Sequence, residues 1–288
     1  MLRAARLTLS TRPLAKRARI PNNINSFKQF QSDAPVSTSK SSAEEQRRSG
    51  AGITLNRFWK KVNVAENDGI LTITLDKRPL RTPEGARLEI PRTHRVLATL
   101  VAIEWENQEK LIKHHALPMT SIVSRAIDGL NHEGMRIGLV AGLLKYLETD
   151  TICFHETHPP TLVKLQEEHW EPLINWAEST YGVRINKFES ILGNTQPAET
   201  KEAFAKAANK LDQWEMAAFE RAVLTTKSFI IALALVKGQI DVEQAARAAH
   251  VEVVSQTMRW GEVEDTHDVD YHHIRRQLGS VACVLAIN

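Results

Sequence analysis

The chain has 288 residues, room for one large domain or two ordinary ones, and its 42% hydrophobic and 25% charged residues are average for a globular protein with a real core. Two cysteines, Cys153 and Cys283, stand far apart in no ligand spacing, which points to free thiols in a reducing compartment rather than a disulfide framework. The net charge of +3 hides a split: residues 1–50 hold ten Lys/Arg and three Asp/Glu, leaving 27 basic and 31 acidic residues beyond them, so the body lacks the basic balance that nucleic-acid binding wants.

The first twenty residues, MLRAARLTLSTRPLAKRARI, carry six Arg/Lys and no acid, with leucines interleaved. This is the composition of a mitochondrial transit peptide, and it lacks the continuous apolar core of a secretory signal. Residues 31–50 are polar and Ser-rich and read as linker, so 1–50 is set apart from the fold.

The ordered body begins near Gly52. FWKKVNV (58–64), the turn signal AENDG and ILTITLDK (70–77) predict two strands joined by a short turn. RPLRTPEGARLEIP adds short extended pieces around Pro-Glu-Gly. After Pro91, Val96, Leu97, Leu100 and Val101 follow helical spacing, predicting a helix to about Lys110. Residues 51–125 therefore read as a small β-rich α+β domain.

From about Ser121 the pattern is almost entirely helical, and 126–288 reads as a bundle of roughly six helices. The Gln213–Val236 stretch is strongly apolar and ends at Lys237-Gly238, a natural helix stop. Tyr271, Ile274, Leu278, Val281 and Leu285 mark the core face of the last helix. The longest apolar run, FIIALALV at 229–236, is far short of the ~20 residues that span a bilayer, so the protein is expected not to be membrane-embedded.

Catalytic motifs are missing. No phosphate-binding G-x-x-x-x-G-K-[ST] loop, G-x-G-x-x-G, G-x-S-x-G or H-E-x-x-H occurs, so neither nucleotide nor cofactor binding is expected. In HETH, His155 and His158 are followed at once by Pro159-Pro160, which favours a surface pair over a zinc site. His114-His115 make a poor chelate, and Glu167, Glu168 and His169 read as a solvated face. An alternative function, a metal-dependent hydrolase, would rest on His155, His158 and the Asp/His-rich stretch near the C-terminus.

That stretch, WGEVEDTHDVDYHH (260–273), is the densest chemistry in the chain. Glu262, Glu264, Asp265, Asp268 and Asp270 stand with His267, His272 and His273. A calcium loop fails because His273 occupies the place of the required glycine. One or two acids would favour a helix start, with Asp265 or Thr266 as its cap. Five exceed that need and suggest a docking surface for an Arg/Lys-bearing partner, with Trp260 as an apolar anchor.

Several segments together carry a resemblance: RFWKKV at 57–62, RPLRTP at 78–83, LPMTSIVSRAID at 117–128, YLETDTICFH at 146–155, LDQWEMAAFERAVLTTKSFIIALAL at 211–235 and MRWGEVEDTHD at 258–268. They span the body from about residue 53 onward, and the chain resembles the mitochondrial assembly chaperones that handle the alpha subunit of F1-ATPase (the ATP synthase F1 complex assembly factor 2 family). The resemblance implies an α+β fold: an N-terminal α+β domain followed by a C-terminal orthogonal helical bundle. It implies a non-enzymatic chaperone of the mitochondrial matrix without cofactors. Such a chaperone would bind unassembled alpha subunit and yield it to the beta subunit.

Overall fold

The computed structural model describes residues 55–130, 132–190 and 194–287. The Arg-rich leader and Ser-rich linker expected over residues 1–50 lie outside the described residues. Among the described residues the architecture is α+β: a small antiparallel sheet first, then helices to the C-terminus.

The sheet grows from a hairpin. β1 (Val62–Asn67) and β2 (Ile70–Leu75) pair antiparallel with Asn67 opposite Ile70, so the loop is only Asp68-Gly69. Both loop residues have positive φ, +47° and +77°, which matches the right-handed twist of the strands and is cheap for Asp and Gly. β3 (Arg78–Pro79) and β4 (Glu89–Pro91) share the other edge of β2, one at each end. Period-two alternation buries Leu71, Ile73 and Leu75 on one face. Against it lies α1 (Arg95–Glu106), which buries Leu97 and Val101.

α2 (Pro118–Gly129) opens with proline at its first position, where a missing N–H costs nothing, and has no side-chain cap of its own. Glu104 of α1 supplies one. Its carboxylate accepts the Met119 N–H at 2.8 Å, the Thr120 N–H at 2.9 Å and the Thr120 hydroxyl at 2.6 Å. The domain boundary expected at 125/126 falls inside α2, a helix that packs on α1 and also on the helix Gln213–Thr226.

Nine helices follow among the described residues: α3 (Glu133–Glu148), α4 (Pro160–His169), α5 (Glu171–Tyr181), α6 (Ala198–Asn209), α7 (Gln213–Thr226), α8 (Phe229–Val236), α9 (Val242–Ala249), α10 (Val251–Trp260) and α11 (Thr266–Leu285). The apolar stretch from Gln213 to Val236 is two helices, not one. Lys227 adopts φ +57° after α7, and Ser228 then caps α8 by accepting the Ile231 N–H at 3.0 Å. All eight residues of α8 are buried, so this short helix is the centre of the helical part. Aspartates cap α7 and α9 in reciprocal capping boxes, Asp212 with Glu215 and Asp241 with Gln244. The expected stop at Lys237-Gly238 is present, with Gly238 at φ +67°. No helix among the described residues is long and apolar enough to cross a membrane.

Candidate functional site

The acid-rich stretch sits at the corner between α10 and α11. Toward its C-terminal end α10 carries Met258 and Trp260, both exposed, while its core contacts come from Val251 and Ser255. Gly261 ends the helix at φ +88°, ψ 167°, a conformation open essentially only to glycine, and swings the chain away. His267 then pins the connection, its Nδ1 accepting the Val263 N–H at 3.0 Å.

Asp265 precedes α11 at φ +66°, and its side chain caps nothing. Neither of the caps expected from sequence, Asp265 or Thr266, is used. The Thr266 N–H instead donates to the Glu264 carbonyl at 2.8 Å and the His267 N–H to the Val263 carbonyl at 3.2 Å, so the backbone closes the turn itself.

Glu262, Glu264, Asp265, Asp268 and Asp270 are all exposed. Of these five, among the described residues, only Asp270 has an oppositely charged partner within reach, His250 at 3.1 Å, and only when that imidazole is protonated. Burial is the main influence on that imidazole and holds its pKa below the usual value, against the pull of Asp270. Among the described residues the other four acids face solvent with their charge unanswered.

Between the acids the corner exposes large apolar side chains. Relative exposures are 65% for Met258, 70% for Trp260, 59% for Val263 and 66% for Val269. The Arg259 guanidinium lies 5.0 Å from the Trp260 ring centroid. Below them a shallow cavity of about 230 Å³ is lined by Pro159, Leu162, Ser255, Gln256, Arg259 and Trp260. Surface aromatic and aliphatic groups rimmed by charge are a pattern of protein–protein contact.

The surplus of acids drew attention to this stretch, and the structure places Trp260 and the five acids on one exposed corner. Met258, Val263 and Val269 are additions from the structure; Val269 falls off the core stripe of the last helix, and Val263 lies before that helix begins. Tyr271, expected on the buried face, is half exposed, with the Arg275 guanidinium 3.3 Å from its ring centroid, and the core face is Ile274, Leu278, Val281 and Val284. Arg275 also makes a two-pronged pair with Glu243 of α9, at 2.8 and 2.9 Å. Hydrogen bonds from Arg275 and then Arg247, reinforced by their charges, hold the Glu243 carboxyl down at about 2.

The histidine motifs assemble no centre. His158 is exposed, but His155 is not the surface residue expected. Its Nε2 pairs with the Ile152 carbonyl at 3.0 Å and its ring packs edge-on to Trp170, a fully buried side chain whose Nε1–H donates to the Ala248 carbonyl at 2.7 Å. His114 and His115 are exposed on a short 3-10 turn, and Glu167 and Glu168 are solvated as expected. Among the described residues no group of three His, Cys, Asp or Glu side chains is placed to hold a metal ion. The hydrolase alternative finds no support.

Residues 56–178 match the family model described as ATP12 chaperone protein. The chain is 35% identical over 237 residues to the protein "atp12, mitochondrial" of Schizosaccharomyces pombe, covering 80% of this chain and 81% of that one. It is 33% identical over 270 residues to "ATP12, mitochondrial" of Saccharomyces cerevisiae, covering 80% and 83%. Among solved structures, Atp12 of Paracoccus denitrificans superposes with a TM-score of 0.68 at 26% identity, over 80% of this chain and 97% of that one. The Atu1473 protein of Agrobacterium tumefaciens superposes with a TM-score of 0.70 at 31% identity, over 80% and 85%.

Proposed function

This chain belongs to the ATP12 chaperone family, a family of chaperones rather than enzymes, and from that premise we propose that it serves assembly of the mitochondrial F1-ATPase. Its client is the unassembled alpha subunit, bound in the mitochondrial matrix and handed on to the beta subunit. Two relatives are named as mitochondrial proteins, and the acid-free leader at residues 1–20 agrees with that compartment.

A subunit destined for a ring exposes apolar interfaces before it meets its neighbours, and these invite aggregation. A chaperone that shields them without nucleotide must bind moderately and be displaced by the better-fitting neighbour. The absence of a phosphate loop from the sequence fits release by such competition.

The observation that carries the reading is the α10–α11 corner. Trp260 stands 70% exposed beside Glu262, Glu264, Asp265 and Asp268, whose charges are unanswered among the described residues, and beside Asp270, which reaches His250. In this reading Trp260, Met258 and Val263 cover apolar client surface, and Glu262, Glu264, Asp265 and Asp268 orient a basic rim. Affinity capture of the mature protein from mitochondria tests it: unassembled alpha subunit is the expected companion, and a preparation that never yields alpha subunit defeats the proposal.

A further inference from the structure

The sheet ends in an open edge. Among the described residues β1 pairs only with β2, and all but its first residue are exposed. A two-residue hairpin loop makes its closing pair, Asn67 and Ile70, a hydrogen-bonded pair, and the pattern then alternates along the strands. Asn67, Ala65 and Asn63 therefore bond to β2, while Glu66, Val64 and Val62 turn their backbone groups outward. Two contacts confirm the phase. Ile73, opposite Val64, gives its carbonyl to the Leu80 N–H at 2.8 Å on the far side of β2. The outward Val62 N–H is taken by the Glu106 carboxylate at 2.9 Å.

The N–H and C=O of Val64 and of Glu66 have no such partner among the described residues. These four groups are spaced as one edge of a ladder. Edge strands are commonly blunted by proline, lysine or a bulge. The strand VNVAEN has neither residue, and its register with β2 is unbroken. Its one charge, Glu66, is drawn to Arg95 at 3.0 Å and Arg92 at 3.3 Å. Arg95 and Glu106, about three turns apart on α1, reach the two ends of β1, so the helix runs alongside the strand. Val64 and Ile103 are left exposed there.

We propose that the Val62–Asn67 edge accepts an extended segment of a client polypeptide as an additional strand of the sheet. Main-chain bonds to Val64 and Glu66 hold the segment whatever its sequence, and its inward side chains lie on Val64 and α1. The geometry stands independently of the α10–α11 corner; only the nature of the partner rests on the chaperone reading above. Such a strand offers a chaperone what a side-chain patch does not, tolerance of an incompletely folded client whose side chains vary.

Hydrogen exchange at single-amide resolution tests it, on the protein alone, with chemically unfolded F1 alpha subunit, and with reduced carboxymethylated α-lactalbumin as a generic extended chain. Protection of the Val64 and Glu66 amides by at least ~10-fold with either probe supports the edge. Protection by α-lactalbumin without capture of alpha subunit supports the edge and defeats the alpha-subunit reading. Binding of alpha subunit that slows amides only around 258–270, or no effect at Val64 and Glu66 with either probe, overturns the edge proposal. Val64→Pro adds a second measure, because the lost N–H faces outward and proline is tolerated on such an edge. It should keep the fold and lose at least ~10-fold in capture, while Ala65→Pro, whose N–H bonds to β2, should unfold the hairpin.

Discussion

Asp150 caps a helix that is remote in sequence: its buried carboxylate accepts the Phe229 N–H at 2.7 Å, with the Ile230 N–H at 3.1 Å on the same oxygen. The other oxygen takes the Ile152 N–H at 3.3 Å. A carboxylate at a helix N-terminus is favourable, and here it also satisfies donors that water cannot reach. Asp150→Ala should therefore destabilise the fold by at least ~3 kcal/mol, because it leaves buried N–H groups unpaired. Urea unfolding followed by circular dichroism measures this. A loss below ~1 kcal/mol would mean that the cap contributes little.

The same residue gives a pH signature. Burial pushes the Asp150 carboxyl up to about 6, against hydrogen bonds from Ser228 and three backbone N–H groups that pull it down. A raised folded value means that the folded state holds a proton that the unfolded chain releases near pH 4. Its contribution to stability is therefore full below pH 4 and declines as pH rises to about 6, by up to ~3 kcal/mol. The stability difference between wild type and Asp150→Asn should fall across that window and level off above pH 7. A flat difference contradicts the assignment.

Glu243 should behave oppositely. Paired with Arg275 and Arg247, its carboxyl is held at about 2, so its contribution is present above pH 4.5 and lost as pH falls toward 2. The Glu243 side chain is 43% exposed, so solvent screening keeps the pair below ~1 kcal/mol. Glu243→Gln should cost that much at pH 7 in low salt and less in 1 M salt. An equal cost at both ionic strengths would show that packing, not charge, joins α9 to α11.

The contrast between Asp150 and Trp260 shows what the sequence could and could not reveal. Period-two alternation at Ile70–Leu75 depends on near neighbours, so local pattern exposed it; the capping boxes at Asp212 and Asp241 are equally local but enter only with the structure. Asp150 and Glu104 act on helices that begin far along the chain or in another element, and no spacing rule links them to Phe229 or Thr120. The break at Lys227-Ser228 lies in a four-residue polar run, Thr225 to Ser228, inside an otherwise apolar stretch, and the left-handed backbone at Lys227 with the extended backbone at Ser228 separates the helices. At the candidate site the acids were legible as a surplus of charge. The exposure of Val269 was legible only from its place off the Ile274–Leu278–Val281 stripe, and that of Val263, which precedes the helix, from no periodicity at all.

Trp260→Ala separates anchor from fold. The side chain is 70% exposed, so its loss should shift stability by no more than ~0.5 kcal/mol. If it fills a client pocket, capture should fall by roughly 2 kcal/mol, about 30-fold. Titration of labelled alpha subunit against both proteins reads the difference, and matched affinities would remove Trp260 from the surface.

Glu262→Lys addresses the docking account most directly. Glu262 is exposed and makes no ion pair among the described residues, so reversing its charge should leave the melting temperature of the variant within a few degrees of wild type. Alpha-subunit binding should weaken at least ~10-fold, and wild-type binding should itself weaken as salt rises, because exposed charges are screened within ~10 Å at 0.1 M. The measurement is the dissociation constant for purified alpha subunit, wild type against Glu262→Lys, at low and high salt on preparations of equal melting temperature. A large drop at low salt that shrinks at high salt is the predicted result. Equal affinities at both ionic strengths would contradict the assignment of the α10–α11 corner as the client surface.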